Sequence, residues 1–167
     1  MDKIIARRAL SVVTTLIEQN RSIATAESCT GGGIAAALTS VSGSSAVVKG
    51  GVVAYATEAK RNVLHVSPTT LDEKGVVSEA TVLEMAKGAI RVFDAEIGIA
   101  TSGVTGPSGG TPENPVCTVW IAVVNKEGRF ATFRFGDLDR GRSKNTRNAI
   151  LNALRLLSDF LKSEKNE

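Results

Sequence analysis

Thr25-Ala26-Glu27-Ser28-Cys29-Thr30-Gly31-Gly32-Gly33 is the stretch on which the reading of this chain turns. A β-like run at residues 22–26 leads into it, and a helix of small side chains at 32–39 leads out. It therefore reads as a strand-to-helix turn. Two potential nucleophiles, Ser28 and Cys29, stand beside three consecutive glycines. Glycine permits backbone approach that a Cβ atom would block. A helix beginning there offers unpaired N–H groups and the positive end of its dipole. A bound anion or a developing oxyanion would be stabilised at such a point. The same turn can also serve packing alone. It is neither a P-loop nor a dinucleotide fingerprint, because GxxxxGK[ST] and G-x-G-x-x-G are both absent.

Working outward, the flanking segments alternate between helix and strand. Ile4, Ile5, Leu10, Val13, Leu16 and Ile17 recur at helical spacing over residues 2–19. Residues 46–55, rich in Val and Gly, read as a strand with a bulge at Gly50-Gly51. Thr57 is placed to cap a short helix running through 64, and residues 68–74 form another helical turn stopped by Gly75. Ser78 suits the N-cap of a helix over 79–93, with Val82, Met85, Ala86, Ala89 and Ile90 on one face. Residues 96–101 read as a strand, and a Gly/Pro loop over 102–115 follows. Residues 116–124 and 129–135 form a hairpin across 125–128. The last helix covers 143–161, and the charged tail 162–167 is expected to fray. This order predicts an α/β fold: one three-layer α/β/α domain over residues 1–167, with a mixed sheet of about five strands.

Bulk properties narrow the function classes. The 167 residues suffice for one domain with a real core, at 43% hydrophobic and 22% charged. Aromatics make up only 4%, and the net charge is a mild +3. Outside a cluster between Arg134 and Arg155, the basic residues are scattered. A nucleic-acid partner is therefore not expected, whereas a small anionic ligand suits the cluster. Two cysteines, Cys29 and Cys117, cannot build a disulfide framework and lack metal-ligand spacing, so neither a metal nor a cofactor is called for. No signal-peptide layout or bilayer-length apolar run stands out, so no membrane association and a cytoplasmic location are expected. The oligomeric state stays open, with a homo-oligomer among the options.

A serine or cysteine nucleophile needs a base. The one histidine, His65, lies among apolar neighbours and reads as a packed or surface residue. Lys60 is the alternative. Near the start of a short helix and beside Arg61 its charged form would be disfavoured, with Glu58 acting the other way. A solvated lysine is the plain reading of the same residues. The loop over 102–111 carries Ser102, Gly103, Thr105, Gly106, Ser108, Gly109 and Gly110, which offer N–H and hydroxyl donors without bulk. It follows a strand, where α/β proteins place ligands. Arg134, Arg140, Arg142 and Arg147 are suited either to clamping a phosphate or to a solvated face.

Taken together, these motifs resemble the CinA C-terminal domain family. The match runs from Thr25 through Gly32, then Gly43-Ser44-Ser45, Tyr55 to Lys60, Gly75 to Ser78, Ser102 to Pro107 and Pro115 to Trp120, in order and over nearly the whole chain. The resemblance implies hydrolysis of nicotinamide mononucleotide to nicotinate mononucleotide and ammonia, a step of pyridine-nucleotide recycling. It implies Ser28 as nucleophile, Lys60 as general base and Tyr55 as a hydrogen-bonding partner of the pair. Cys29, Thr30, Gly31, Gly32, Ser44, Ser45, Ser102, Gly103, Thr105, Gly106, Gly109 and Gly110 are the implied substrate contacts. The family's arginine pair falls on Arg140 or Arg142 and on Lys144 or Arg147; Arg142 and Arg147 are taken here. Longer members carry an N-terminal domain associated with ADP-ribose pyrophosphatase activity, and nothing of it carries over. The alternative is a non-catalytic nucleotide- or partner-binding domain linked to competence or DNA damage. Cys29 as the nucleophile is a third reading.

Overall fold

The computed structural model describes residues 2–136 and 138–164. Helix α1 (Lys3–Glu18) is capped by Asp2, whose carboxylate accepts from the Ile4 and Ile5 N–H groups at 2.8 and 3.2 Å. It buries Ile5, Ala9, Val12, Val13 and Leu16. Ile4, Leu10 and Ile17, counted into the apolar period from sequence, face solvent instead. Strand β1 (Ile23–Glu27), helix α2 (Gly33–Thr39), a 3-10 turn at Ser44–Ala46 and strand β2 (Val48–Val53) follow. Next come α3 (Thr57–Asn62), α4 (Pro68–Lys74), α5 (Glu79–Phe93) and β3 (Ile97–Gly103). Strands β4 (Val119–Asn125) and β5 (Phe130–Phe135) form the hairpin, and α6 (Arg142–Glu164) closes the chain.

The sheet order is β2-β1-β3-β4-β5, with β2, β1 and β3 parallel and β4 and β5 antiparallel. One face meets α1, α2 and α6, and the other meets α5 with the α3 and α4 segment behind it. The two faces differ in side-chain size. Ile23, Ile97, Ile99, Ile121 and Val123 fill the α1/α6 side. Ala24, Ala26, Ala100 and Ala122 lie under α5. Gly98 is the extreme case, since a Cβ there would stand 2.1 Å from the Ala86 carbonyl oxygen. Small residues thus let α5 sit close on the sheet, and the large residues opposite supply most of the buried apolar volume.

Several boundaries move for identifiable reasons. The bulge lies at Lys49, one position before the glycine pair, where the register with β1 slips between Ile23 and Ala24. The glycines serve close packing: a Cβ at Gly51 would meet the Thr25 hydroxyl at 2.2 Å. Strand β4 begins at Val119 rather than 116, because Cys117 has φ 79° and Thr118 N–H closes a turn onto the Pro115 carbonyl. Residues 162–164 do not fray. They continue α6, where Glu164 pairs with Arg21 and accepts from the Asn125 amide. The rest of the expected frayed tail, 165–167, lies outside the described residues.

Candidate active site

Ser28 is the first residue beyond β1, at the end of the sheet where the parallel strands finish. Its N–H donates to the Thr101 carbonyl at 3.0 Å and its own carbonyl accepts from Gly31 N–H at 3.0 Å. Gly31 (φ 60°) and Gly32 (φ 90°) then turn the chain through the left-handed region into α2, a conformation costly for other residues.

Lys60 comes from α3. Ala56 occupies the N-cap position, so Thr57 is the first helical residue and Lys60 the fourth. The neighbours Glu58 and Arg61 are exposed, while Leu64 and Val66 are buried and draw the Lys60 side inward. Lys60 is 2% exposed. Its Nζ donates to Ser28 Oγ at 3.1 Å, to the Ala54 carbonyl at 2.8 Å and to the Tyr55 carbonyl at 3.5 Å. Among the described residues no carboxylate lies within ion-pair reach of it. Burial away from water lowers its pKa below the ordinary lysine value, with an opposing pull from Cys29. Burial does the work expected of Arg61 and the helix dipole.

Cys29, beside Ser28, is held in the opposite sense. Burial pushes its thiol up to about 12, and the nearby Glu27 carboxylate adds to the rise. At neutral pH it is a thiol rather than a thiolate, and only the thiolate is a competent nucleophile.

A cleft of about 280 Å³ opens over this pair, close to the lower end of ligand pockets, about 300 Å³. It brings together Ser28, Cys29, Tyr55, Lys60, Ser102, Gly103, Thr105, Gly106, Gly109 and Arg142, all named from sequence. Its walls also include Thr57, Val76, Val77, Val104 and Ser108, and among the described residues no acidic side chain lines it. Ser108 stood in the glycine-rich loop by composition. Val76 and Val77 lie in the Gly75 to Ser78 motif of the family resemblance but were not named as site residues, and the Ser102 hydroxyl ties their segment to the cleft by donating to the Val76 carbonyl at 2.7 Å.

Arg142, the first residue of α6, spans the rim. It donates to the Gly106 carbonyl at 2.8 Å and to the Tyr55 hydroxyl at 2.7 Å. Tyr55 therefore meets the Ser–Lys pair through its main-chain carbonyl, whereas its hydroxyl belongs to Arg142. Asn145, which sequence reasoning passed over, is buried and donates to the Thr105 carbonyl at 3.0 Å and to Asp139 at 2.8 Å. It ties the loop after β3 to α6.

Other expected contacts lie elsewhere. Ser44 and Ser45 precede β2 at the opposite end of the parallel strands, where the Ser44 hydroxyl faces the Thr39 carbonyl at 3.4 Å. Arg147 is bound to Asp2 at 2.7 Å and joins α6 to the start of α1. Arg134 and Arg140 are also outside the cleft. Thr30 is buried beneath the turn, and Gly31, Gly32 and Gly110 shape the backbone without lining the space.

The start of α2 is not an open anion site either. Glu27 Oε2 accepts from Thr30 Oγ1 at 2.7 Å and Ile34 N–H at 3.0 Å, and Oε1 accepts from Ala35 N–H at 2.8 Å. The chain thus fills its own helix terminus. Among the described residues, the N–H groups of Thr30 and Gly32 find no protein acceptor, and that of Cys29 meets only its own thiol.

Fold and site define a class: a three-layer α/β domain with a buried serine–lysine pair that, among the described residues, has no counter-ion, in a cleft that no described carboxylate lines. The chain belongs to the CinA C-terminal domain family, which matches it over residues 6–161. A CinA-like protein of Shewanella halifaxensis is 52% identical over 70% of this chain, and one of Cytophaga hutchinsonii is 45% identical over 90%. The chain spans only 27% and 35% of the length of those two relatives. The crystal structure of a competence/damage inducible protein from Agrobacterium tumefaciens superposes with a TM-score of 0.92 at 38% identity, covering 97% of this chain and 98% of that one. A CinA superfamily protein from Klebsiella pneumoniae gives 0.90 at 37% identity, covering 95% and 98%. No described helix is long and apolar enough to cross a membrane.

Proposed function

We propose that the protein hydrolyses the carboxamide of nicotinamide mononucleotide, releasing nicotinate mononucleotide and ammonia. One observation carries the reading: Lys60 is buried without a carboxylate partner, 3.1 Å from Ser28 Oγ. Burying a charge without compensation is costly, and the group responds by giving up its proton more readily. A neutral lysine beside a serine is a general base beside a nucleophile.

In the forward direction, Lys60 Nζ takes the Ser28 proton as Oγ bonds to the carboxamide carbon. The carbonyl oxygen becomes the oxyanion, and among the described residues the N–H groups of Thr30 and Gly32 are the nearest unspent backbone donors along the chain, with the Cys29 N–H, which meets only its own thiol, beside them. Collapse breaks the C–N bond, and Lys60 returns its proton to the departing nitrogen, which leaves as ammonia. Water then attacks the acyl-enzyme, giving its proton to Lys60, and Ser28 is released. No metal enters any of these steps. Among the described residues Arg142 is the cleft's cation besides Lys60 and no carboxylate lines the space, which suits an anionic nucleotide. Hydroxyls of Thr57, Thr105 and Ser108 are available to a ribose. Two buried thiols accord with a reducing, cytoplasmic setting.

The test is ammonia release from nicotinamide mononucleotide by the purified protein. Turnover lost in Ser28→Ala and in Lys60→Ala is the expected result. Nucleotide binding with no turnover in the wild type would overturn the enzymatic reading in favour of a binding domain. Full activity in Ser28→Ala would remove the nucleophile.

A further inference from the structure

We infer that Glu27 is the positioning residue of this site: its buried carboxylate clamps the turn from Ser28 into α2 and, through Thr30 and Thr101, holds Ser28 against Lys60. The inference rests on the serine–lysine reading and deepens it.

Glu27 is 0% exposed. Its carboxylate is satisfied entirely by uncharged donors, two from the first turn of α2 and one from the Thr30 hydroxyl. Thr30 Oγ1 also lies 2.7 Å from Thr101 Oγ1. The carbonyl of that same Thr101 accepts the Ser28 N–H. A closed circuit therefore runs from Glu27 through Thr30 and Thr101 back to the Ser28 backbone. Every residue in the circuit is buried, so no water is on hand to replace a lost contact.

The placement also separates two buried charges. Glu27 and Lys60 flank Ser28, yet they form no ion pair. Direct pairing would hold the lysine in its protonated form, which cannot act as a base. Spending the carboxylate on the α2 donors keeps it turned from Lys60. The Glu27 charge acts instead on Cys29, whose thiol it helps to keep protonated.

A simple helix cap would stabilise the fold without touching the chemistry, so the test must separate the two. Glu27→Gln keeps the shape but sets an amide N–H₂ against backbone N–H donors. In steady-state deamidation of nicotinamide mononucleotide, kcat falls about tenfold or more while KM stays within about threefold, because the nucleophile and not the substrate contacts is displaced. In parallel, pH-dependent alkylation read at Cys29 by peptide mass spectrometry shifts to lower pH in Glu27→Gln. A variant with lowered thermal stability but wild-type kcat and an unmoved Cys29 profile would overturn the inference.

If Glu27→Gln does not fold, Thr30→Val, which removes only the hydroxyl link, decides. A kcat loss at unchanged KM supports the circuit, and wild-type kcat overturns it. If the wild type leaves the nucleotide intact, the proposed substrate falls while this inference is still read by fluorophosphonate labelling of Ser28. Labelling slowed in Glu27→Gln supports it, and labelling at an equal rate, or none in the wild type, overturns it.

Discussion

The two ends of the parallel strands treat charge in opposite ways. Where β1 and β3 begin, buried or half-buried charges are matched. Arg21 pairs with Glu164 and also lies 3.8 Å from Glu127. Where β1 and β3 finish, Lys60 is buried with no counter-charge and Glu27 is answered only by neutral donors. One end is built to hold the fold together. The other keeps groups in states that water or a salt bridge would reverse, a pattern that trades stability for reactivity.

Substitutions can break this contrast, and the largest effect is expected at Ser28 and Lys60. Ser28→Ala and Lys60→Met each lower kcat/KM for nicotinamide mononucleotide by about 10³-fold or more. Lys60→Met, which removes the buried amino group, is also expected to raise Tm by about 2–4 °C, for a gain of about 1 kcal/mol. Calorimetry of the same variant checks the second half, and a lowered Tm would mean that Lys60 stabilises the fold.

The pH profile sharpens the comparison from the same residue. In the proposed mechanism Lys60 works as a free base, and its pKa is depressed, so kcat/KM is expected to rise with pH and level off at an apparent pKa below 10.5, the ordinary lysine value. The stability sign follows. Between the folded and unfolded pKa values the unfolded chain binds the extra proton, so stability rises with pH across that window and the full cost of burial is felt below it. Titration of kcat/KM together with denaturant midpoints at several pH values measures both.

Next in size come the two arginines of α6. Arg142→Ala removes the cation at the cleft rim and is expected to raise KM about tenfold, with little change in Tm. Arg147→Ala should do the reverse: a lower Tm and kinetics within about twofold of wild type. Asp2, held by Arg147, has its carboxyl lowered to about 2. The stability it lends is therefore present above 3.8 and is lost as pH falls toward about 2, and Arg147→Ala should blunt that acid transition. Arg21→Ala, at the charge-matched end, is expected to cost about 1 kcal/mol in chemical denaturation, without affecting kcat. The smallest kinetic effect is expected from Cys29→Ser, a loss of less than about tenfold, because burial keeps the thiol protonated and the proposed attacking group is Ser28.

Much of the site was legible in sequence because its parts lie at strand ends and in a glycine-rich loop, where local pattern and fold position coincide. Ser28 and Thr105 are of this kind; Lys60, on α3, reads locally as a solvated lysine, and Arg142, at the start of α6, as either a phosphate clamp or a solvated face, so both are singled out by the family resemblance. Ser44 and Ser45 failed for a topological reason: a parallel strand starts at the end of the sheet away from where its neighbour finishes. Arg147 failed because five residues along a helix swing a side chain far around the axis from Arg142, here toward Asp2. Glu27 went unassigned because strand residues alternate faces and nothing local says that one buried carboxylate will meet the next helix's donors. The segment of Val76 and Val77 is tied to the cleft by a hydrogen bond from Ser102, 26 residues away.

By itself, then, the sequence determined the alternation of helices and strands, the glycine-made turn after β1 and the family. Those follow from short-range periodicity and from backbone conformations that only certain residues adopt. The tertiary structure alone decided that Lys60 loses its solvent, that Cys29 stays a thiol, that Arg142 and not Arg147 faces the cleft, and that Glu27 clamps the turn. Protonation states and side-chain directions depend on what packs around a group, and burial is a property of the folded whole rather than of any segment.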